Sequence, residues 1–519
     1  MSTDLISFLR LFRVGFVLAR EGALALVPQD VLPPFARFLI HIGRFIERDN
    51  LGNGAQRLAM ALNRLGPSYV KFGQFLATRP DVVGVRVARD LESLQDRLPP
   101  FPLQEAQAII EEALGKPVTE LFAHLSEPVA AASIAQVHQA TLHDGTKQAI
   151  KVLRPGIRHR FARDLEAMAF AAAKAESYSP EARRLRLSEV VNTLKRSVIM
   201  EMDLRLEAAA LSEMAENTKD DPHFRVPAVV WDLTARDVLA MEWIDGTPLN
   251  DLETIDRKGH DRQKLGQTVI QSFLRHALRD GFFHADMHPG NLFVDEKGDL
   301  CAVDFGIMGR MGDKERRFLA EILLGFITRD YKRVAEVHFE AGYVPALHSV
   351  EEFAQAIRAI GEPIHNRRAD EISMAKLLTL LFEITALFDM RTRTELVMLQ
   401  KTMVVVEGVG RALDPMLDIW KTAEPVVREW ITRNLGVIGR TEQAGRGALS
   451  FAQAVAALPS LVNRTEHLAE TLTERLERGF PLDQGSIQAI GRAEGRSNSA
   501  GHLALWAIAI MIGLALFWI

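Results

Sequence analysis

His284-Ala-Asp-Met-His-Pro-Gly-Asn291, followed by Val303-Asp-Phe-Gly306, carries the reading of this chain. The two stretches set a carboxylate at Asp286, a carboxamide five residues on at Asn291, and a second carboxylate thirteen residues further at Asp304. Hard oxygen ligands of this kind hold Mg2+ against phosphates. One carboxylate is left to orient an attacking group. A competing reading is a zinc site, because His284 and His288 stand four apart, as on a zinc-binding helix. Pro289-Gly290 argues for a loop instead. Ala285 also stands where the zinc motif needs Glu.

Protein kinases combine D-x-x-x-x-N with a later D-F-G in this way. The upstream half should then carry a lysine that pairs with phosphates. Gln148-Ala-Ile-Lys151 fits the strand that bears it. His143-Asp-Gly145 reads as a hairpin turn between the apolar runs Ile134–Leu142 and Thr146–Leu153, which puts Lys151 on the second strand. A Gly-rich loop should precede the hairpin, and Pro128-Val-Ala-Ala-Ala-Ser-Ile-Ala-Gln-Val-His138 stands there without a glycine. Alanine neither reaches positive φ easily nor lets backbone approach a phosphate as closely. Phosphate must be bound differently in such a loop.

Ala130 to His138 resembles the Ala-rich loop of the UbiB/ADCK group of atypical kinase-like proteins. Lys71-Phe-Gly-Gln74 matches that family's K-x-G-Q signature, and Glu201-Met-Asp203 matches its E-x-D motif. The resemblance spans residues from about 60 to 430. It implies a kinase-like fold, ATP and Mg2+ as cofactors, and a role in ubiquinone production, where bacterial members serve as accessory proteins. Carried over, Lys151, Asp286 and Glu207 become the catalytic group, and Asn291 and Asp304 the metal ligands. Ala130, Ala131, Ala132, Ser133, Ile134, Ala135, Gln136 and Val137 become the nucleotide-covering segment, with Glu242 and Trp243 at the hinge. Lys71, Gln74, Glu201 and Asp203 become a lid over the site. Ser188 to Glu216 reads as one helix capped by Ser188. On it Glu201 and Glu207 point about 120° apart. The family pattern assigns Glu207 to Lys151 and turns Glu201 and Asp203 toward the lid.

An ordinary protein kinase continues into a long activation segment ending in Ala-Pro-Glu. Here Ile307 to Lys314 runs directly into a helical pattern over Glu315–Ile327, with no Ala-Pro-Glu. The main expectation is therefore an atypical kinase or ATPase that acts on or presents lipid precursors. The alternatives are a pseudokinase scaffold for biosynthetic enzymes and a true protein kinase that regulates them. Expected partners are a membrane lipid or quinone precursor, quinone-biosynthetic enzymes, the inner membrane and a second copy of the chain as a homodimer.

Net charge is −5 and pI about 6.3, so no global basic field draws the chain to nucleic acid. The single cysteine, Cys301, lies in the apolar run before Asp304 and reads as a small core residue. From Ser499 to Ile519 no Asp, Glu, Lys or Arg occurs. As helix this stretch spans about 31 Å, against about 30 Å of hydrocarbon. Arg492 and Arg496 precede it, which predicts a single C-terminal span with the catalytic part cytoplasmic. Leu5 to Val27 is apolar but broken by Arg10, Arg13, Arg20 and Glu21, and lacks a signal-peptide cleavage pattern. It reads as an amphipathic helix on the membrane or on the core.

The predicted fold class is α+β: a two-lobed protein-kinase-like fold with a helical N-terminal extension and a C-terminal transmembrane helix. Its parts are an N-terminal helical segment (1–59), the K-x-G-Q extension (60–115), an N-lobe (116–245) and a C-lobe (246–435). A helical linker (436–498) and the span (499–519) follow. Val226–Val230 and Val238–Trp243 read as strands, and Leu249 onward mostly as helix.

Overall fold

The computed structural model describes residues 3–23, 46–48, 54–77, 99–178, 185–364, 387–390 and 394–435, with isolated positions at 83, 87, 90, 91, 183 and 384. The predicted linker and membrane span lie outside the described residues. Among the described residues no helix is long and apolar enough to cross a membrane.

Among the described residues the chain opens with the helices α1 (Thr3–Arg20), α2 (Gly54–Leu65), α3 (Pro67–Ala77) and α4 (Leu103–Leu114). Strands β1 (His124–Ala131), β2 (Ala135–Thr141) and β3 (Lys147–Leu153) come next. Helices α5 (Ile157–Tyr178), α6 (Leu187–Glu201) and α7 (Leu204–Asn217) lead to the two-residue β4 (Phe224–Arg225) and to β5 (Val238–Glu242). The order β1-β2-β3-β5 is antiparallel throughout.

The turn that starts this sheet's central hairpin follows from local chemistry. Asp144 accepts the Thr146 amide at 2.8 Å, and Gly145 takes φ +86°. Alternation then divides the sheet. Gln136, His138, Ile150, Val152 and Ala240 share one face, which α4 covers through Ala106 and Ile110, with Phe101 just ahead of the helix. Val137, Lys151 and Leu239 stand in register on the opposite face. There α5, α6 and the N-terminal helices pack on Ala135, Leu153 and Leu239. Of the two placements expected for α1, the structure shows the core: Arg10 donates to Arg163 O on α5 at 3.1 Å, and Val14 and Val17 pack inward. The buried Glu21 just beyond it meets Arg64 at 2.6 Å.

The second lobe begins at β6 (Gly246–Pro248), α8 (Leu252–Arg257) and α9 (Arg262–Arg275), which ends in a wide turn, His276–Asp280. Strands β7 (Phe282–His284), β8 (Leu292–Asp295), β9 (Leu300–Ala302) and β10 (Met308–Arg310) carry the loops between them. Helices α10 (Asp313–Thr328), α11 (Tyr331–Glu340), α12 (Val350–Ile364), α13 (Thr394–Leu413) and α14 (Ile419–Leu435) complete it. Cys301 is fully buried on β9, and burial pushes its thiol up to about 12.

Two predicted elements differ. Val226–Val230 is no strand: β4 ends at Arg225, Pro227 has no N–H for a ladder, and only Val229 bridges to Met241. The single helix expected over Ser188–Glu216 is two, α6 and α7, broken at Met202-Asp203. Asp203 caps α7 by accepting the Arg205 amide at 3.2 Å, while Arg158 holds Met202 O at 2.6 Å. Ser188 is not a cap. Its N–H and hydroxyl both donate to Glu176, at 2.8 and 2.7 Å.

Candidate nucleotide site

Lys151 sits in the middle of β3, where its neighbours Val137 and Leu239 make the strand face apolar. Its buried Nζ lies 2.6 Å from Glu207 Oε1 and 3.3 Å from Asp304 Oδ1. Burial works against its charged form, but the two carboxylates outweigh that and hold its pKa above the ordinary amine value. Glu207 Oε1 also accepts the Phe305 amide at 3.4 Å, so one carboxylate joins the strand, the helix and the Asp-Phe-Gly turn.

The break at Met202-Asp203 explains why Glu207 and Glu201 go to different partners. Glu201, at the end of α6, pairs with Lys71 Nζ at 2.5 Å, with both side chains 12 % exposed. Gln74 lies further along α3 and is half-buried. Asp203 does not turn toward Lys71-Gln74 as expected. Its carboxylate is committed to capping α7 and to the Arg205 guanidinium, at 2.9 and 2.7 Å.

The loop Ala285–Gly290 leaves β7 and enters β8 at Leu292. His284 Nδ1 accepts the Asp286 amide at 3.0 Å, and His288 Nδ1 accepts the Gly290 amide at 3.1 Å. Both imidazoles are thus turned onto their own loop, one buried and one exposed, which disposes of the zinc pairing. Burial lowers the His284 pKa from the ordinary imidazole value, against the pull of Asp286 and Asp304, and its ring packs 5.2 Å from that of Phe305. Asn291 donates through Nδ2 to Asp286 O at 3.1 Å, with Asp286 Oδ2 at 3.4 Å. That leaves its carbonyl oxygen as the end with ligand character. Asn291 O accepts the Val303 amide at 3.0 Å, which brings the two motif stretches side by side.

Asp304 accepts the Gly306 amide at 3.0 Å. Burial disfavours its carboxylate, yet Lys151, that amide and His284 hold its pKa down at about 2. Its side chain is 43 % exposed, so a bound group can reach it. Among the described residues no three His, Cys, Asp or Glu gather into a metal cage. An ionised Asp304 beside an oriented Asn291 suits Mg2+, which takes one or two protein oxygens and fills its octahedron with water and phosphate.

The Ala-rich segment forms a tight hairpin end. Ala130 pairs with Val137 and Ala131 with Gln136, and the Ala132 amide donates to Ala135 O at 2.8 Å. Ser133 and Ala135 are buried and Ile134 is half-buried. Arg154 straps the turn by donating to Ala132 O at 2.9 Å. Gln136, expected to face nucleotide, lies on the opposite face of the sheet. It exchanges hydrogen bonds with the Phe101 backbone at 2.9 and 3.2 Å and lies 2.9 Å from His138 Nε2. Strand alternation is the reason: its neighbour Val137 shares the Lys151 side. At the end of β5, the Glu242 carboxylate meets Arg225 at 3.1 Å and its amide donates to Ala228 O at 2.8 Å. Trp243 Nε1 donates to Asp245 at 2.9 Å.

Residues that the motifs did not flag complete the surroundings. After Asp-Phe-Gly the chain pairs at once with β7: Met308 with His284, Gly309 with Phe283 and Arg310 with Phe282. A Cβ on Gly309 would lie 2.2 Å from the Phe283 ring, so only glycine lets this strand sit there. Arg310 reaches back to Glu213 on α7, at 2.8 and 2.5 Å, and lies over the Phe282 ring at 4.2 Å. The far end of α7 is tied by Asp221, 3.0 Å from His276 Nε2 and paired with Arg279, which also donates to Asn217 O at 2.7 Å. The helix α10 starts at Asp313, two residues before the pattern placed it.

A lysine–glutamate pair above a loop with Asp and Asn, closed by Asp-Phe-Gly and lacking an activation loop, defines an atypical kinase-like protein. Residues 93–338 match the ABC1 atypical kinase-like domain, and residues 357–418 match the UbiB helical domain. A "Probable protein kinase UbiB" of Marinobacter nauticus is 40 % identical over 461 residues, 88 % of this chain and 84 % of the relative. One from Pseudomonas putida GB-1 is 37 % identical over 552 residues, 99 % of each. A Mycobacterium tuberculosis protein solved in complex with erythromycin superposes with TM-score 0.50 at 26 % identity, over 74 % of this chain and 96 % of that one. The chain belongs to the UbiB family of ABC1 atypical kinase-like proteins.

Proposed function

We propose that this chain binds ATP with Mg2+ between its lobes and turns it over, as a membrane-anchored atypical kinase or ATPase that supports ubiquinone biosynthesis. The observation that carries the reading is the connected group Lys151–Glu207–Asp304, at 2.6 and 3.3 Å, with Asp286 and Asn291 on the adjoining loop. In this reading Lys151 meets the nucleotide phosphates and Glu207 keeps it aimed. Asp304 and the Asn291 carbonyl would hold Mg2+, which when bound offsets phosphate charge. Asp286 orients the attacking hydroxyl or water. Ala130–Ala135 and Val137 cover the nucleotide, and the 242–243 backbone borders its base. Lys71, Gln74 and Glu201 form a lid, with Asp203 holding the elbow beside it.

Among the described residues the strand after Asp-Phe-Gly is short and runs straight into α10 at Asp313, where an ordinary kinase carries its peptide platform. This favours water or a lipid as acceptor. The apolar run 499–519 behind Arg492 and Arg496 supports an anchor in the inner membrane, with the site on the cytoplasmic side. ATP use there would help present or modify very apolar quinone precursors for the enzymes that act on them.

The test is Mg2+-dependent ATP binding and turnover, with and without quinone-precursor lipids, in the wild type, Asp304→Asn and Asn291→Ala. Both variants should bind Mg·ATP more weakly, since each removes a ligand or its charge. Unchanged affinity in both refutes the metal assignment. Binding without turnover in the wild type makes the chain a scaffold. Transfer of labelled phosphate to a partner protein makes it a protein kinase.

A further inference from the structure

The peptide that carries Asp286 is clamped from outside the cleft. The unit joining Ala285 to Asp286 is planar, so fixing its N–H and its C=O fixes ψ of Ala285 and φ of Asp286 together. Its N–H donates to His284 Nδ1 at 3.0 Å. Its C=O lies 3.0 Å from the hydroxyl of Thr402. Thr402 is 1 % exposed and stands on α13, inside the region 357–418 that matches the UbiB helical domain.

The Thr402 hydroxyl also lies 2.9 Å from Met398 O, and it has one proton to give. Met398 O is the i−4 carbonyl of the same helix, which the helical ladder already serves. A buried carbonyl left without a donor costs more than a shared one. Ala285 O is therefore where the proton does most. α13 is itself held against α9: Arg262 donates to Leu413 O and Ala412 O at 3.0 and 2.9 Å. A Cβ on Gly266 would lie 3.1 Å from Gly410 O. On the other side of Asp286, its own carbonyl accepts from Asn291 Nδ2 at 3.1 Å and from the His288 amide at 2.8 Å.

We infer that Thr402 is a positioning residue for Asp286, and that the helical region serves the site by fixing this one peptide plane. The inference rests on the proposed role of Asp286 only for its effect on turnover. Its effect on the loop stands apart from that role.

The full-length chain with Thr402→Val keeps the shape and loses the proton, while Thr402→Ser keeps the proton. Two readouts decide. Hydrogen exchange of the segment 282–291 should speed up in Thr402→Val by about fivefold, as for loss of one ordinary hydrogen bond, and return to the wild-type rate in Thr402→Ser. Turnover of Mg·ATP should fall by about the same factor in kcat, with KM for ATP within about twofold, because the phosphate contact of Lys151 and the metal contact of Asp304 are untouched. A residue that only stabilises the fold would lower the melting temperature without this split. Should Thr402→Val fail to fold, Thr402→Ala read by the same exchange replaces it. Wild-type exchange in the variant, or a Thr402→Ser as impaired as Thr402→Val, overturns the inference. A wild type that binds ATP but never turns it over refutes the functional reading alone, since the exchange result still decides the role of Thr402.

Discussion

Replacing Arg310 by alanine tests whether the strand after Asp-Phe-Gly governs the lysine–glutamate contact. Arg310 donates from two nitrogens to Glu213, at 2.8 and 2.5 Å, and its guanidinium lies 4.2 Å from the Phe282 ring centre. Glu213 and Glu207 share α7, less than two turns apart. The Arg310 side chain is 66 % exposed and that of Glu213 39 %, so solvent screening leaves the pair about 0.5–1 kcal/mol. The ring contact adds about 0.5–1 kcal/mol at this exposure. Losing both takes about 1–2 kcal/mol from the engaged position of α7, a factor of roughly 5–30 in the ratio of engaged to disengaged states. Affinity for Mg·ATP can fall by no more than that factor. We expect about three- to tenfold by calorimetric titration. Glu213→Ala keeps the ring contact and should lose less. In the double variant the two losses should overlap by about 0.5–1 kcal/mol, the coupling of one direct pair. Purely additive losses, or wild-type affinity in Arg310→Ala, would mean that this strand does not hold the helix.

Two further predictions concern the upper loop and the base of α7. Ala131→Gly loosens the strapped hairpin end, so the thermal shifts given by ATP and ADP should change relative to each other; identical shifts remove the loop from nucleotide selection. Burial disfavours the Asp221 carboxylate, but hydrogen bonds from His276 and Arg279 outweigh it and hold its pKa at about 2. Because this lies below the ordinary value of 3.8, the stabilisation is complete above about pH 4 and is lost as pH falls toward 2. Asp221→Asn should therefore lose roughly 2 kcal/mol at pH 7 in urea unfolding, with the gap to wild type closing only in strong acid. A gap that instead changed at the ordinary imidazole value of 6.5 or just below it would point to His276, whose pKa burial lowers, as the titrating group.

What could be read from the residues was whatever rests on short-range spacing. The hairpin that presents Lys151 follows from Asp-Gly between two apolar runs, and the structure has it over 135–153. The missing activation segment was visible because a helix pattern begins so soon after Gly306. What escaped depends on long-range choice of partner. Nothing local announces that α6 stops at Glu201, since Met202 and Asp203 are tolerable inside a helix. Asp203 followed by a first-turn Glu207 is a helix-start signal that the continuous apolar period masked. Gln136 belongs to the covering segment but not to its nucleotide-side strand face. Counting two residues from His138, or one from Val137, would have put it on the far side. Arg310 and Thr402 lie in stretches with no motif. Gly309, wedged between two longer side chains, was the one available hint of a close backbone approach.

These contacts make α7 the helix on which both lobes bear. Its residues meet β3 through Glu207, β10 through Glu213 and the turn after α9 through Asn217, while its cap, Asp203, adjoins the Glu201–Lys71 pair. The anchors differ in burial. Asp221 and His276 are each 2 % exposed at one end, Lys71 and Glu201 12 % at the other, and the middle pair is open to water. Screening and competing water weaken them in the reverse order. A displacement of α7 is therefore resisted most at its Asn217 end and least around Glu213, with the elbow at Met202-Asp203 between two fixed helices. In an ordinary kinase a long activation segment sets the position of this helix. Here β10 is three residues long, pinned to β7 through Gly309, and has little freedom of its own. The Lys71–Glu201 pair at the end of α6, together with Arg158 on Met202 O, then holds the Asp203 end of α7, and with it the distance from Glu207 to Lys151.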